Sequence, residues 1–530
     1  MKKKPVFVFW SVISLLAIAN LLVFDLMILL GPDKLRVQFV PDDAYYYLQL
    51  AKNFVKFRYW TFDSGLSVAS GFHPLLAYLL ALIYKIFRPD AGTFVIIDVA
   101  FDSIITLLFA GWVWVKSVSQ QNILFLIFLT LCAGARSFVF NSVSGVEWPL
   151  AIVFACAYCV IFYKTTDSLK GCMGMFVIGL LLSLARTDTG LFPLALFLAS
   201  LILSAPRLDK EKAALISSFS GLVGAIVGLG IAFLNTYLST GNIIQSSARM
   251  KLYWSQFGSS PLGLSLTLPL RGIGFDYYFD NRYKLLYGIP FLFLYILFVL
   301  LILRKRGRPI KLSDLHKDHQ TFKRTALFIA SLTCVLGYTI LYTFDGVIQN
   351  WYTANFILPM FILGVETAGY LQKPGKTKIN AAIIFFSSVA LVTFLLNVIS
   401  TYPIENHSPW PHQQLMMEAG IYLNQHPLDG RLGAWNAGII GYYQGGTVVN
   451  LDGLVNDDIY PYAVNNNLPA YLEEKDIRYI VDFQMMFSPF FQQRGGYNSP
   501  IFLQKLQPLT TFDQGQFPPW QFLTIYKISH

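Results

Sequence analysis

Charge is the scarcest property of this sequence. Only 13% of its 530 residues are Asp, Glu, Lys or Arg, against 55% hydrophobic residues. Apolar runs recur along most of the chain, which excludes a large soluble enzyme and implies a polytopic membrane protein. Cysteine is scarce too: Cys132, Cys156, Cys159, Cys172 and Cys334 all fall in or beside apolar runs, which argues against a disulfide framework. The Cys156-x-x-Cys159 pair reads as helix packing, because a zinc site needs further ligands nearby. Tandem repeats, low-complexity tracts and a G-x-G-x-x-G fingerprint are all missing. No small-residue cleavage site follows the apolar run Val6 to Leu30, so that run reads as a retained anchor behind Lys2 to Lys4. The formal charge of +10 forms no basic stripe interleaved with aromatics. Its bases collect in short loops between apolar segments, as orientation signals do, and nucleic acid is set aside as a partner.

What is present is a series of apolar segments: Val6 to Leu30, Pro74 to Phe87, Phe94 to Val115, Ile123 to Phe140, Pro149 to Tyr163, Met173 to Ala185, Leu191 to Leu203, Ala213 to Leu238, Leu285 to Leu303, Ala326 to Tyr342, Phe356 to Tyr370 and Ile379 to Ile399. Several are shorter than the ~20 residues of a straight crossing. Basic clusters at Lys2 to Lys4, Lys164 to Lys170, Pro206 to Lys212, Arg304 to Arg324 and Lys373 to Lys378 read as cytoplasmic. The loop at 31–73, the stretch Ser239 to Lys284, Thr343 to Asn355 and everything after Ser400 are then outside. Arg88-Pro89 also reads as an inside loop, so if Ser144 to Trp148 faces outside, the two segments before Pro149 cannot both span, and one of them should be re-entrant or interfacial. Residues 1–400 form the transmembrane module. Residues 401–530, with shorter apolar runs and alternating strand and helix signals, form a small extracytoplasmic α/β domain.

The loop at 31–73 carries the chemistry. Asp42 and Asp43 follow a proline and open an amphipathic helix with Ala44, Tyr47, Leu48, Ala51 and Val55 on one face and Gln49, Lys52, Asn53 and Lys56 on the other, a pattern suited to a membrane interface. Gly71-Phe72-His73-Pro74 returns the chain to the apolar phase. The outer side also collects Glu147, Arg186, Asp188, Arg249, Lys251, Arg271, Arg282 and Asp345. A carboxylate pair there suits a general base, a metal site or proton coupling in a transporter. The plain structural reading is a helix cap with a dipole partner.

An acidic pair in the first external loop of a many-helix protein resembles the GT-C glycosyltransferases. Asp42-Asp43-Ala44-Tyr45-Tyr46-Tyr47 with Gly71-Phe72-His73-Pro74 resembles a bacterial branch related to protein mannosyltransferases, aminoarabinose transferases and mycobacterial arabinofuranosyltransferases. Ser144-Gly145-Val146-Glu147 is similar to its S-G-M-E pattern, and Leu184-Ala185-Arg186-Thr187-Asp188 to its L-x-R-x-D pattern. The stretch Gly241 to Ser246 with Lys251, and Asp452-Gly453-Leu454-Val455-Asn456, resemble later parts of the same branch. Val146 departs from the methionine of that pattern, and Asn350-Trp351-Tyr352 stands where relatives carry Arg-Tyr.

The resemblance implies an all-α polytopic fold of about 11 to 13 transmembrane helices in the bacterial inner membrane, N-terminus cytoplasmic. It implies transfer of a sugar, with inversion, from a polyprenyl-phosphate donor to an envelope glycan, lipid or protein on the outer face. A lipid phosphate is already a good leaving group, so one base suffices. Asp42 matches the family's base and Asp43 would orient the acceptor, with the reverse assignment open. Lys251 and Arg249, then His73, would face the phosphate. Glu147 and Asp188 would position sugar hydroxyls or a divalent metal; the residues themselves favour instead a structural pairing of Asp188 with Arg186. The competing class is a lipid or glycan flippase using Asp42, Asp43 and Asp188 as coupling acids, although these acids lie at the interface rather than at a midplane helix break.

Overall fold

The computed structural model describes residues 4–164, 168–205, 208–257, 261–275, 319–345, 347–371, 379–488, 495–513, 515 and 519–529. The expected segment Leu285 to Leu303, most of the Arg304 to Arg324 cluster, Arg282 and the Lys373 to Lys378 loop lie outside those residues.

Among the described residues before 402, helices predominate. They include α1 (Lys4–Leu30), α2 (Asp42–Phe57), α3 (Pro74–Phe87), α4 (Ala91–Ser119), α5 (Ile123–Gly134), α6 (Trp148–Lys164), α7 (Leu169–Ala185), α8 (Leu191–Ser204), α9 (Leu208–Thr240), α10 (Ser246–Ser255), α11 (His319–Tyr342), α12 (Ala354–Leu371) and α13 (Ile379–Thr401), with a further helix at Pro261–Gly272 and shorter helical pieces between. Among the described residues, Pro5–Leu30, Ala91–Ser119, Thr187–Ser204, Glu211–Thr240 and His319–Tyr342 are long and apolar enough to cross a membrane. Shorter apolar helices pack between them. α7 and α9 approach closely because small residues line their seam: a Cβ on Gly179 would lie 2.2 Å from the Gly221 carbonyl oxygen, and one on Gly224 2.0 Å from that of Phe176. Apolar side chains gain nothing by leaving lipid for one another, so such backbone approach is what holds a helix pair together there.

Two segments differ from the sequence reading. The run Ile123 to Phe140 is not one helix: Ala135 is extended (ψ 134°), separating α5 from a six-residue helix, Arg136–Asn141. The second difference concerns Arg88-Pro89. With 14 residues, α3 reaches only about 21 Å at 1.5 Å per residue. Arg88 then takes a left-handed conformation (φ 48°) that ends α3, and Asp90 caps α4 by accepting the Thr93 amide at 3.0 Å. At that turn Tyr442 of the C-terminal domain donates to the Ala91 carbonyl at 2.8 Å. Residues 88–91 therefore sit on the C-terminal-domain side, opposite to the sequence assignment. α3 leaves and returns on one side, and the alternation from α4 to Lys164 needs no re-entrant segment.

The C-terminal part carries α14 (Gln413–Gln425), β1 (Arg431–Ala434), α15 (Ala437–Gln444), β2 (Val449–Asn450), β3 (Ile477–Phe483), β4 (Leu506–Asp513) and β5 (Phe522–Ile528). The sheet order is β2-β1-β3-β5-β4, parallel across β2, β1 and β3 and antiparallel across β3, β5 and β4. β3 lies in the middle, and all of its side chains but Arg478 are buried. One apolar core runs from Phe24 and Leu50 in the helical part to Ile439 and Ile480 in this domain. The domain thus grips the outer loop. Gln49 and Asn53, on the polar face of α2, are buried; Asn53 donates to the Thr61 and Phe62 carbonyls at 3.0 and 2.8 Å.

Candidate active site

Consecutive residues on a helix point about 100° apart, and residues two apart point to opposite sides. That geometry separates two pairs which the sequence had grouped. Asp42 reaches the C-terminal domain, where its carboxylate accepts the Gly438 amide at 3.2 Å and the Ile439 amide at 2.6 Å at the first turn of α15. It caps a helix 397 residues away rather than its own. Burial pushes its pKa up to about 7, with the Asp43 charge raising it further and the two amides opposing. Tyr46, one turn on, donates to Asp452 at 3.0 Å and accepts from Asn450 at 3.1 Å.

Asp43 turns the other way. It is half-buried, and its carboxylate accepts no hydrogen bond among the described residues. Burial raises its pKa to about 6; Lys251 opposes that rise, while Glu147 and Asp345 add to it. Lys251 Nζ donates to the Tyr352 hydroxyl at 2.5 Å and lies 5.0 Å from the centre of that ring. It makes no salt bridge to a carboxylate among the described residues. Arg249, two positions earlier on α10, points away: it pairs with Asp457 at 2.5 Å and lies over Tyr460. The phosphate-facing position inferred for Arg249 is therefore taken up by the seam between α10 and the C-terminal domain.

Arg186 is the hub of the remaining site. Its Nη1 donates to Glu147 Oε1 at 2.6 Å, while Nε and Nη2 donate to both oxygens of Asp188 at 3.1 and 2.7 Å. Tyr342 donates to Asp188 at 2.7 Å and Tyr47 to Glu147 at 3.1 Å. Arg186 and Glu147 are 2% and 3% exposed, so each depends on the other for its charge to be tolerated. The Asp188–Arg186 pairing and the loop partners meet here, brought by α2, the α5–α6 connection and the α7–α8 turn. Tyr352 stacks on Tyr342 with ring centres 4.8 Å apart and lies 5.2 Å from the Arg186 guanidinium.

His73 belongs to the same site but not as a cation. Its Nδ1 accepts the Thr187 amide at 3.4 Å and its Nε2 lies 3.6 Å from Glu147. Burial holds its pKa below the usual imidazole value, with Glu147 opposing, so the ring is neutral near pH 7. Arg271 instead donates to Asn350 at 2.9 Å, outside this network. Among the described residues no group of three or more His, Cys, Asp or Glu side chains is close enough to hold a metal ion.

Residues 406–524 match a family described as a domain of unknown function, DUF8728. No curated protein matches the sequence. Among solved structures, the chain is similar to the oligosaccharyltransferase AglB of Archaeoglobus fulgidus in complex with an inhibitory peptide and a dolichol-phosphate. Identity is 12% and the TM-score 0.45, over 100% of this chain and 74% of that one. It is also similar to the Archaeoglobus fulgidus oligosaccharyltransferase in complex with Zn and sulfate, at 12% identity and a TM-score of 0.46, over 99% and 73% of the two chains.

The sequence missed Tyr47, Tyr342 and Tyr352 as partners of the charged groups. Tyr47 was read as part of an apolar face, Tyr342 as the end of an apolar run, and Tyr352 only within a departure from the family pattern. The Asp452 to Asn456 motif was the one available signal that the C-terminal domain reaches α2.

Proposed function

We propose that this chain is a membrane glycosyltransferase of the GT-C type. It moves a sugar from a polyprenyl-phosphate donor to an envelope glycan, lipid or protein acceptor on the outer face of the bacterial inner membrane. The observation that carries this reading is the divergence of Asp42 and Asp43. With Asp42 occupied by the α15 amides, Asp43 is a carboxylate with open lone pairs among the described residues, and the Lys251 charge that acts on it has no carboxylate salt bridge among them. A base and a phosphate-binding cation side by side are the two groups that this reaction needs. The acceptor oxygen attacks the anomeric carbon and its proton passes to Asp43. The bond to the phosphate oxygen breaks, and the phosphate leaves with the bonding electrons beside Lys251. Attack opposite the leaving phosphate inverts the anomeric centre. Arg186 holds Glu147 and Asp188 in place to receive sugar hydroxyls.

The test is sugar transfer by the protein in lipid, with a panel of polyprenyl-phosphate sugars. Asp43→Asn should abolish turnover while donor still binds, and Asp42→Asn should retain turnover where the domain stays docked. If no donor is bound or consumed, and a proton gradient instead drives a lipid-linked glycan across the bilayer, the protein is a flippase.

A further inference from the structure

A second acidic group lies beneath this site and takes no part in it. Asp98 and Asp102 stand one turn apart on α4, and both are 0% exposed. All four of their carboxylate oxygens are buried without a hydrogen-bond partner. The Gly145 and Val146 amides face Asp102, no side chain donates to it, and the charges acting on it come from Asp98 and Glu147, both negative. Asp25 of α1 enters the same region with its needs met: Ser103, the residue after Asp102, donates to it at 2.5 Å and Ser142 at 2.6 Å. Asp25 is given two hydroxyl donors, while neither neighbour is given a side-chain donor.

An uncompensated carboxylate in an apolar interior is among the costliest arrangements a protein can hold, and two side by side cost more. The backbone closes down on them as well. Gly145 has φ +66°, and a Cβ there would lie 2.6 Å from Asp98 Oδ2 and 3.3 Å from the Cβ of Ala44, the residue after Asp43. The segment 144–147 therefore runs as a strap between Asp98 and α2, and it ends on Glu147.

We propose that Asp98 and Asp102 hold one hard divalent cation. Two carboxylates offer up to four oxygens and a charge of −2, which a divalent ion cancels, and an all-oxygen set suits Mg²⁺, Mn²⁺ or Ca²⁺. Main-chain carbonyls or water complete the shell. The neighbouring amides act on the ligating carboxylate of Asp102 from behind, as partners of metal-bound carboxylates do. The cation fixes α4 against the strap and so fixes Glu147 beside Arg186. This inference does not depend on the glycosyltransferase reading.

The experiment uses the full chain in lipid nanodiscs, stripped with EDTA and dialysed against Mn²⁺, Mg²⁺ or Ca²⁺, with bound metal measured by mass spectrometry and the unfolding midpoint followed in parallel. The expected result is about one retained equivalent, a higher midpoint on its return, and loss of both in Asp98→Asn and in Asp102→Asn. Asp43→Asn should keep the equivalent. Three results overturn the proposal: native protein that retains no metal and does not respond to chelation, in which case protons neutralise the pair; retention unchanged in both α4 variants; or loss in Asp43→Asn with retention in Asp98→Asn, which places the ion in the upper site. The native measurement decides even where a variant fails to fold.

Discussion

Arg249 and Asp457 meet at 2.5 Å across the seam between α10 and the C-terminal domain, and Ser70 donates to the other oxygen of the same carboxylate at 2.7 Å. Asp457 is 6% exposed, so Arg249→Ala strands a buried charge, at a cost of about 3 kcal/mol. The unfolding midpoint of the reconstituted protein should fall while donor affinity stays. Lys251→Ala should do the reverse. Equal loss of donor affinity in the two variants would return Arg249 to the phosphate site.

The pH profile of turnover follows from Asp43. Its pKa is raised by burial to about 6, and only the ionised form accepts a proton. Turnover should therefore be nearly constant above pH 7 and fall about tenfold per unit well below pH 6. His73 adds no second limb near neutrality, because burial keeps it uncharged there. A rate that rises on acidification would rule Asp43 out as the base.

Domain docking should show the opposite dependence. Burial raises the pKa values of both Asp42 and Asp452 to about 7, above the ordinary carboxylate value. A group whose pKa rises on folding stabilises the folded form fully below its unfolded value and loses that contribution as pH rises through its folded one. Between pH 5 and pH 8 the amides of 437–444 should exchange progressively faster. Asp42→Asn should flatten that trend, and a native protein whose exchange, corrected for intrinsic rates, is constant over this range would contradict it.

Gly71 has no room for a side chain. A Cβ there would lie 1.6 Å from the Leu454 carbonyl oxygen and 2.8 Å from its carbon. Backbone cannot yield as a flexible side chain does, so Gly71→Ala should lift the 452–456 turn off the outer loop. The cost should be at least the 1 to 3 kcal/mol or so typical of overpacking. Proteolysis of the C-terminal domain in otherwise folded protein reads this out directly.

Glu147→Ala leaves Arg186 with Asp188 alone and removes the acceptor for Tyr47. Breaking one partner of a buried pair costs about 3 to 5 kcal/mol, which should show as a lower unfolding midpoint. Glu147→Gln keeps the shape and should recover part of the stability without restoring donor affinity.

Much of the helical part was legible because apolar runs report burial directly, and α2 announced itself through its period. Its environment did not: Gln49 and Asn53 read as the polar face of an interfacial helix, yet both are buried, and a Cβ on Gly446, some 400 residues later, would meet the Gln49 amide. Adjacency in sequence also misled, since it paired Asp42 with Asp43 and Arg249 with Lys251, whereas helical geometry sends each pair apart. β4 escaped notice because Pro508 and alternating polar residues look unlike a strand, although an edge position tolerates proline. The turn after α3 was misplaced because Arg88 reads as an inside signal, and no local pattern distinguishes a 14-residue crossing from an in-plane helix.

The contact between Asp42 and the amide of Ile439, 397 residues on, also sets an order of events in the making of the protein. At about 5 to 20 residues per second, Asp42 leaves the ribosome on the order of half a minute before its partner exists. The helices that carry the site are made first, and the amides that hold Asp42 follow with residues 438 and 439. A nascent chain stalled before residue 438 holds Asp43, Glu147 and Arg186 but lacks the two amides that Asp42 accepts, so this arrangement is complete only once residues 438 and 439 have been made.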